Sequence, residues 1–177
     1  PRSLHESRAG RFAFDGQLAV RELISRCAEM GLWVVLKLGP VIGPPYEGGA
    51  LPAWLSDVPE IRLRQPNPTF FERVTAWYSA MGGQCASLLA TDVASAAIRS
   101  RRPGAETGPV IAVQIEDDWR CGQEELAAAY LSELVRFARE VGFDVPILTA
   151  NNSFATVDAA IDALDVRGDA LALMRQL

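Results

Sequence analysis

The sequence has one histidine, three cysteines and no long apolar run, and each shortage removes a class of function. His5 stands alone, and Cys27, Cys85 and Cys121 are far apart with no CxxC pair. A zinc site or a thiol nucleophile therefore lacks its partners, and no metal is expected. The cysteines read as buried or partly buried free thiols, the usual place of that side chain. No run of about 18 apolar residues occurs, so no membrane-spanning helix is expected. Basic residues are also outnumbered: 17 Lys and Arg face 22 Asp and Glu, a formal net charge of −5. Neither nucleic acid nor an anionic membrane finds an electrostatic footing on such a chain. Pro1 to Phe14 carry charges and no apolar segment of the signal-peptide kind, which leaves the compartment open.

What is present is the composition of a globular domain. The 177 residues are 49% hydrophobic and 22% charged, enough for one domain over 1–177 with a real core. From Gln17 to Met30, apolar residues at Val20, Leu23, Ile24, Cys27 and Met30 follow one helical face. Gly31 stops that helix, and the run from Leu32 to Leu38 is apolar on both faces, as in a parallel strand covered by helices. A stretch rich in Gly and Pro follows, from Gly39 to Gly49. Phe70 to about Ala90 reads as a helix with Phe70, Val74, Trp77 and Met81 on one side. Residues 91–107 read as a helix end entering a solvated loop. Val110 to Ile115 is a second buried strand. Glu124 to Val141 is an amphipathic helix with Leu126, Tyr130, Leu134, Phe137 and Val141 on one face. Val145 to Thr149 is a third strand, and Val157 to Leu164 reads as a last helix.

Strand, helix, strand, helix, strand is a βαβ repeat, which implies a parallel sheet with right-handed crossovers. An open doubly wound sheet and part of a barrel share this pattern. No GxGxxG follows the first strand, which argues against dinucleotide binding, and no cofactor is expected. In both architectures ligands meet the loops after the carboxyl ends of the strands, here Gly39 to Trp54, Glu116 to Gln123 and Ala150 to Phe154. The acidic group Glu116-Asp117-Asp118 is either a solvated loop or a site, and its place at a strand's carboxyl end favours the site. Trp119 is the aromatic best placed to touch a ligand. Trp54 and Trp77 fit apolar patterns and read as core. His5 reads as a structural hydrogen-bonding residue, and Asn151-Asn152 as a turn.

Three ordered stretches carry a resemblance. His5-Glu6 is followed by Gly10, Phe12, Phe14 and Gly16. The run from Gly31 to Ile42 is followed by Gly49-Ala-Leu-Pro-Ala-Trp-Leu and Ile61-Arg-Leu-Arg. Gly108-Pro-Val-Ile-Ala-Val-Gln-Ile-Glu comes third. Together they resemble the central part of the family 35 glycoside hydrolases, the β-galactosidases. The three stretches correspond to the segment leaving the second barrel strand, the third strand with its loop, and the fourth strand. The resemblance implies an α/β fold, a partial (β/α)8 TIM-barrel-like domain with parallel strands. It also implies a retaining glycosidase acting on β-galactosides, with an acid/base Glu after strand four and a nucleophile Glu after strand seven. Retention needs two carboxyl groups about 5–5.5 Å apart.

Against that pattern the chain departs at the polar positions. Where the family has Asn-Glu, this sequence has Asp117-Asp118. Asp118 keeps the carboxyl group of the proton donor but is one methylene shorter, and a displacement of about 1 Å can cost about 100-fold in rate. Asp117 replaces a donating amide with a carboxylate that only accepts. Where the family has a sugar-binding Tyr and Glu in Gly-Pro-Tyr-Ile-Cys-Ala-Glu-Trp, this chain has Val41 and Pro45, with Tyr46 and Glu47 as nearby substitutes. The resemblance thus gives Asp118 as the catalytic residue and Asp117, Glu116, Trp119, Tyr46 and Glu47 as the substrate-binding set. It covers the region from the second strand to just past the fifth, without a match to the strand-seven Glu. A whole barrel takes about 250 residues. Weak or lost catalysis is expected, the alternative being a non-catalytic structural or partner-binding subunit. Unpaired sheet edges further imply a homo-oligomer or a partner chain that completes the barrel.

Overall fold

The computed structural model describes residues 1–43, 46–91, 108–117, 124–150 and 157–162. A single helical turn, α1 (Arg2–His5), opens the chain. Next come α2 (Val20–Glu29) and β1 (Val34–Gly39). The helix α3 (Pro68–Cys85) leads towards β2 (Val110–Ile115). The helix α4 (Glu124–Glu140), β3 (Ile147–Thr149) and β4 (Ile161–Asp162) complete the described elements. The sheet order is β1-β2-β3-β4 and every pairing is parallel. This is the α/β, TIM-barrel-like arrangement expected from the sequence, with the three expected strands adjacent and in order.

Local chemistry explains the elements. Asn67 caps α3 by accepting a hydrogen bond from the Phe70 amide at 2.9 Å, and Pro68 occupies the first turn, where its missing N–H costs nothing. Phe70, Val74, Trp77 and Met81 are all buried, as their spacing predicts. They pack with Leu38, Val113 and Ile115 from the sheet and with Tyr130, Leu134 and Phe137 from α4. Side chains alternate along a strand, so Leu36 and Leu38 face this core while Lys37 faces the other way. Lys37 is in register with Gln114 on that other face.

Some expected stripes are narrower than their periodicity. In α2 only Ile24 is buried; Leu23 and Met30 are exposed, because this helix contacts α3 along one edge. In α4, Leu126 is exposed and the buried face runs through Ala127, Tyr130, Leu131, Leu134 and Ala138. The expected helix from Val157 to Leu164 is not formed where the chain is described. Ala159 takes a left-handed φ of 61°, and Ile161–Asp162 instead pair with Leu148 and Thr149 at the sheet edge. The backbone gains strand partners that a short helix could not supply. Residues 92–107, Asn151 and Asn152 lie outside the described residues.

His5 and Trp77 behave as read, whereas Trp54, expected in the core, is only half-buried at its edge. His5 Nδ1 donates to the Ala13 carbonyl at 2.8 Å, and its ring lies 5.0 Å from Phe14 and 5.7 Å from Trp77. Trp77 Nε1 donates to Leu38 O, and Trp54 Nε1 to Glu6 O. Cys85 is buried and Cys27 partly so, both as free thiols; Cys121 lies outside the described residues. No described helix is long and apolar enough to cross a membrane.

Candidate functional site

The carboxyl end of the sheet is built by two loops that leave β1 and β2 side by side. Gly39 turns the first with φ 83°, and a Cβ there would lie 3.1 Å from the Val41 amide nitrogen, so only glycine fits. Its carbonyl accepts from the Glu116 amide at 3.1 Å and from the Tyr78 hydroxyl at 2.5 Å, which ties the two strand ends and α3 together. Val41 is buried, packed against the Cα of Gly49, and Ile42 N–H donates to Gly49 O at 2.9 Å. Val41 therefore serves the loop's own packing. Tyr46 and Glu47 are exposed on this loop, Glu47 opening a short 3-10 turn that ends at Ala50. Pro45 lies outside the described residues.

At the end of β2, Glu116 adopts φ 55°, a left-handed conformation that non-glycine residues rarely hold without support. The support is its side chain, which has no solvent exposure and is gripped from two sides. Arg64 Nη2 donates to Oε2 at 2.9 Å, and the Tyr130 hydroxyl donates to Oε1 at 2.5 Å. Arg64 also donates to the Asp117 carbonyl at 3.0 Å. Burial pushes the Glu116 carboxyl above its usual range, with Arg64 and Tyr130 opposing. The same burial and the nearby Glu116 charge push Tyr130 and Tyr78 well above the ordinary phenol value.

Asp117 turns to the opposite face, that of Lys37 and Gln114. Its Oδ2 accepts from Lys37 Nζ at 2.9 Å and from the Gly43 amide at 3.0 Å, and its Oδ1 from Gln114 Nε2 at 3.2 Å. Partial burial pushes this carboxyl up, but Lys37, the Gly43 amide and Gln114 together outweigh it and hold the group below the usual aspartate range. A side chain at residue 43 would crowd this bond, since a Cβ would stand 3.2 Å from Asp117 Oδ2.

Of the residues singled out by sequence, Glu116 and Asp117 thus come together with the loop carrying Tyr46 and Glu47. They sit on opposite faces, Glu116 against Tyr130 of α4 and Asp117 against Lys37 and Gln114. Asp118 and Trp119 lie outside the described residues. Sequence reasoning missed Lys37, Gln114 and Tyr130 as members of this cluster. A lone lysine inside an apolar strand was the available signal for Lys37. Nothing marked Tyr130 beyond its place on an apolar helix face.

Comparison with known proteins shows which family the sequence resembles. A human protein, beta-galactosidase-1-like protein 2, is 31% identical over 152 residues, covering 86% of this chain and 21% of the relative. Mouse beta-galactosidase is 30% identical over 158 residues, 86% of this chain and 22% of the relative. Beta-galactosidase 17 of Arabidopsis thaliana is 30% identical over 153 residues, 85% of this chain and 20% of the relative. The chain thus spans about a fifth of the length of these curated relatives. The model of the glycosyl hydrolases family 35 matches residues 1–166, and the chain belongs to that family.

Proposed function

We propose that this chain is a β-galactosidase-like glycoside hydrolase domain that binds β-galactosides at the carboxyl end of its sheet, with weak or lost catalysis. The observation that carries this is the position of Asp117: it stands at the end of β2, in hydrogen-bond contact with the loop after β1 and with Lys37. Family membership supports a sugar ligand, and in barrels of this class ligands meet those same loops. Asp118, the next residue, is the proton donor in this reading. Trp119, Tyr46 and Glu47 supply contacts to the sugar, and Glu116 and Asp117 frame the binding end. A donor must come within about 2.6–3.2 Å of the leaving oxygen, and an aspartate in place of a glutamate reaches that only if substrate or backbone shifts.

The test is turnover of an aryl β-galactoside by the purified chain, beside Asp118→Asn and Asp118→Glu variants. The expected result is no detectable turnover in the natural chain; a gain in Asp118→Glu supports the assignment. Robust activity that survives Asp118→Asn sinks the assignment.

A second reading, a non-catalytic subunit that associates with itself or with a partner chain, is favoured by a different observation. Among the described residues β1 has no strand on its outer side, and Leu32, Trp33 and Val35 are exposed along it. Sedimentation at increasing concentration checks it: a mass that stays monomeric counts against self-association.

A further inference from the structure

Resting on the sugar-binding reading above, we propose that Lys37 is the residue that donates hydrogen bonds to a neutral sugar at this face, and that Asp117 is its positioning residue. The ion pair sits where the family pattern has an amide that both donates and accepts. Asp117 cannot donate, and three of its roughly four lone-pair positions are taken by Lys37, Gly43 and Gln114. Whatever a sugar needs as a donor must come from elsewhere.

Lys37 is the neighbour that can give it. An ammonium carries three N–H donors. One is spent on Asp117, and the side chain is 49% exposed, beside Gln114. Among the described residues, two donors therefore remain for a ligand. Asp117 fixes the head of an otherwise flexible side chain, which lowers the ordering cost of each bond it makes. Charge selects the ligand class. The Lys37–Asp117 pair is neutral as a unit, and Glu116 is matched by Arg64 on the other face. Among the described residues the face thus has no surplus positive charge for an anionic sugar, while hydroxyl and ring oxygens suit the remaining N–H groups.

The experiment titrates the ¹⁵N-labelled chain with methyl β-galactoside, methyl β-glucoside and galacturonate, following the Gly43 amide. It compares the natural chain with Lys37→Met, Lys37→Arg, Asp117→Asn and the Lys37→Met/Asp117→Asn double variant. The natural chain is expected to bind a neutral hexoside more tightly than galacturonate. Lys37→Met is expected to weaken that binding about tenfold, the loss of roughly one to two donated bonds, with Lys37→Arg recovering most of it. Because Asp117 acts through Lys37, the double variant should bind no more weakly than Lys37→Met alone. A Lys37→Met chain that binds like the natural one overturns the inference while the sugar-binding reading stands. Additive losses in the double variant overturn the positioning role, and tighter galacturonate binding overturns the ligand class. A natural chain that binds none of the three sugars rejects the sugar-binding reading and this inference with it.

Discussion

Tyr130, on α4, donates its hydroxyl to Glu116 Oε1 at the end of β2, with both side chains buried. Arg64 holds the other oxygen, so a residue in left-handed backbone geometry is braced by groups from two separate segments. Removing either brace leaves a buried carboxylate short of a partner, but the two removals differ in kind.

Tyr130→Phe deletes a neutral donor and is expected to cost about 1–3 kcal/mol. Arg64→Leu deletes the compensating charge and should cost more, approaching 3–5 kcal/mol. The sign of the pH dependence follows from Glu116. Its folded carboxyl is raised, so its contribution is fully present below the ordinary value of 4.5 and is lost as pH rises through the folded value. Without Arg64 the folded value rises further. Urea unfolding should therefore show an Arg64→Leu penalty that grows between pH 4.5 and pH 7, and a penalty independent of pH argues against this network.

Asp117 behaves in the opposite sense. Its carboxyl is held low, so its stabilisation is present above 3.8 and disappears as pH falls through the folded value. Asp117→Ala should destabilise the chain at pH 7 by roughly 1–3 kcal/mol, the range for hydrogen bonds to a charged group. The difference from the natural chain should shrink near pH 2–3. Thermal unfolding at the two pH values reads it directly.

His5 offers an uncluttered probe because no other imidazole is present. Burial outweighs the bond to Ala13 and lowers its folded pKa below 6.5. The neutral ring is the native form, so its contribution is present above 6.5 and lost as pH falls through the folded value. A one-histidine NMR titration should show a midpoint below 6.5. A midpoint above it removes the structural role assigned to the ring.

Thiol reactivity separates the two described cysteines. Burial pushes Cys85 up to about 11, whereas Cys27 is partly exposed. Under native conditions a maleimide should label Cys27 first, and Cys85 only after denaturant is added. Peptide mapping by mass spectrometry reads the order, and early Cys85 labelling would mean that the α3 face is not closed.

The strands are legible in the sequence because parallel strands are apolar on both faces, as in the run from Leu32 to Leu38. The α3 face is legible for a related reason: Phe70, Val74, Trp77 and Met81 meet both sheet and α4. Leu23, Met30 and Leu126 mislead, since periodicity reports which residues share a face and not how deeply a neighbour covers it. The Val157 segment misleads because an apolar run of that length suits helix or strand, and pairing with β3 decides. At the site, the acidic run after β2 is visible, but its division between two faces is not. That division follows from the left-handed turn at Glu116, which no local rule assigns to a glutamate.

Val41 and Gly49 make one more point about this loop. A Cβ on Gly49 would stand 2.6 Å from Val41 Cγ1, so the two positions share a single volume. Mutations there are coupled: an added methyl at 49 meets both the Val41 side chain and its own left-handed φ of 66°, so shrinking 41 relieves only the first, and an aromatic introduced at 41 has no space in the loop as it is now folded. A tyrosine at 41 therefore needs a rebuilt loop, which a single substitution at 41 or 49 does not supply.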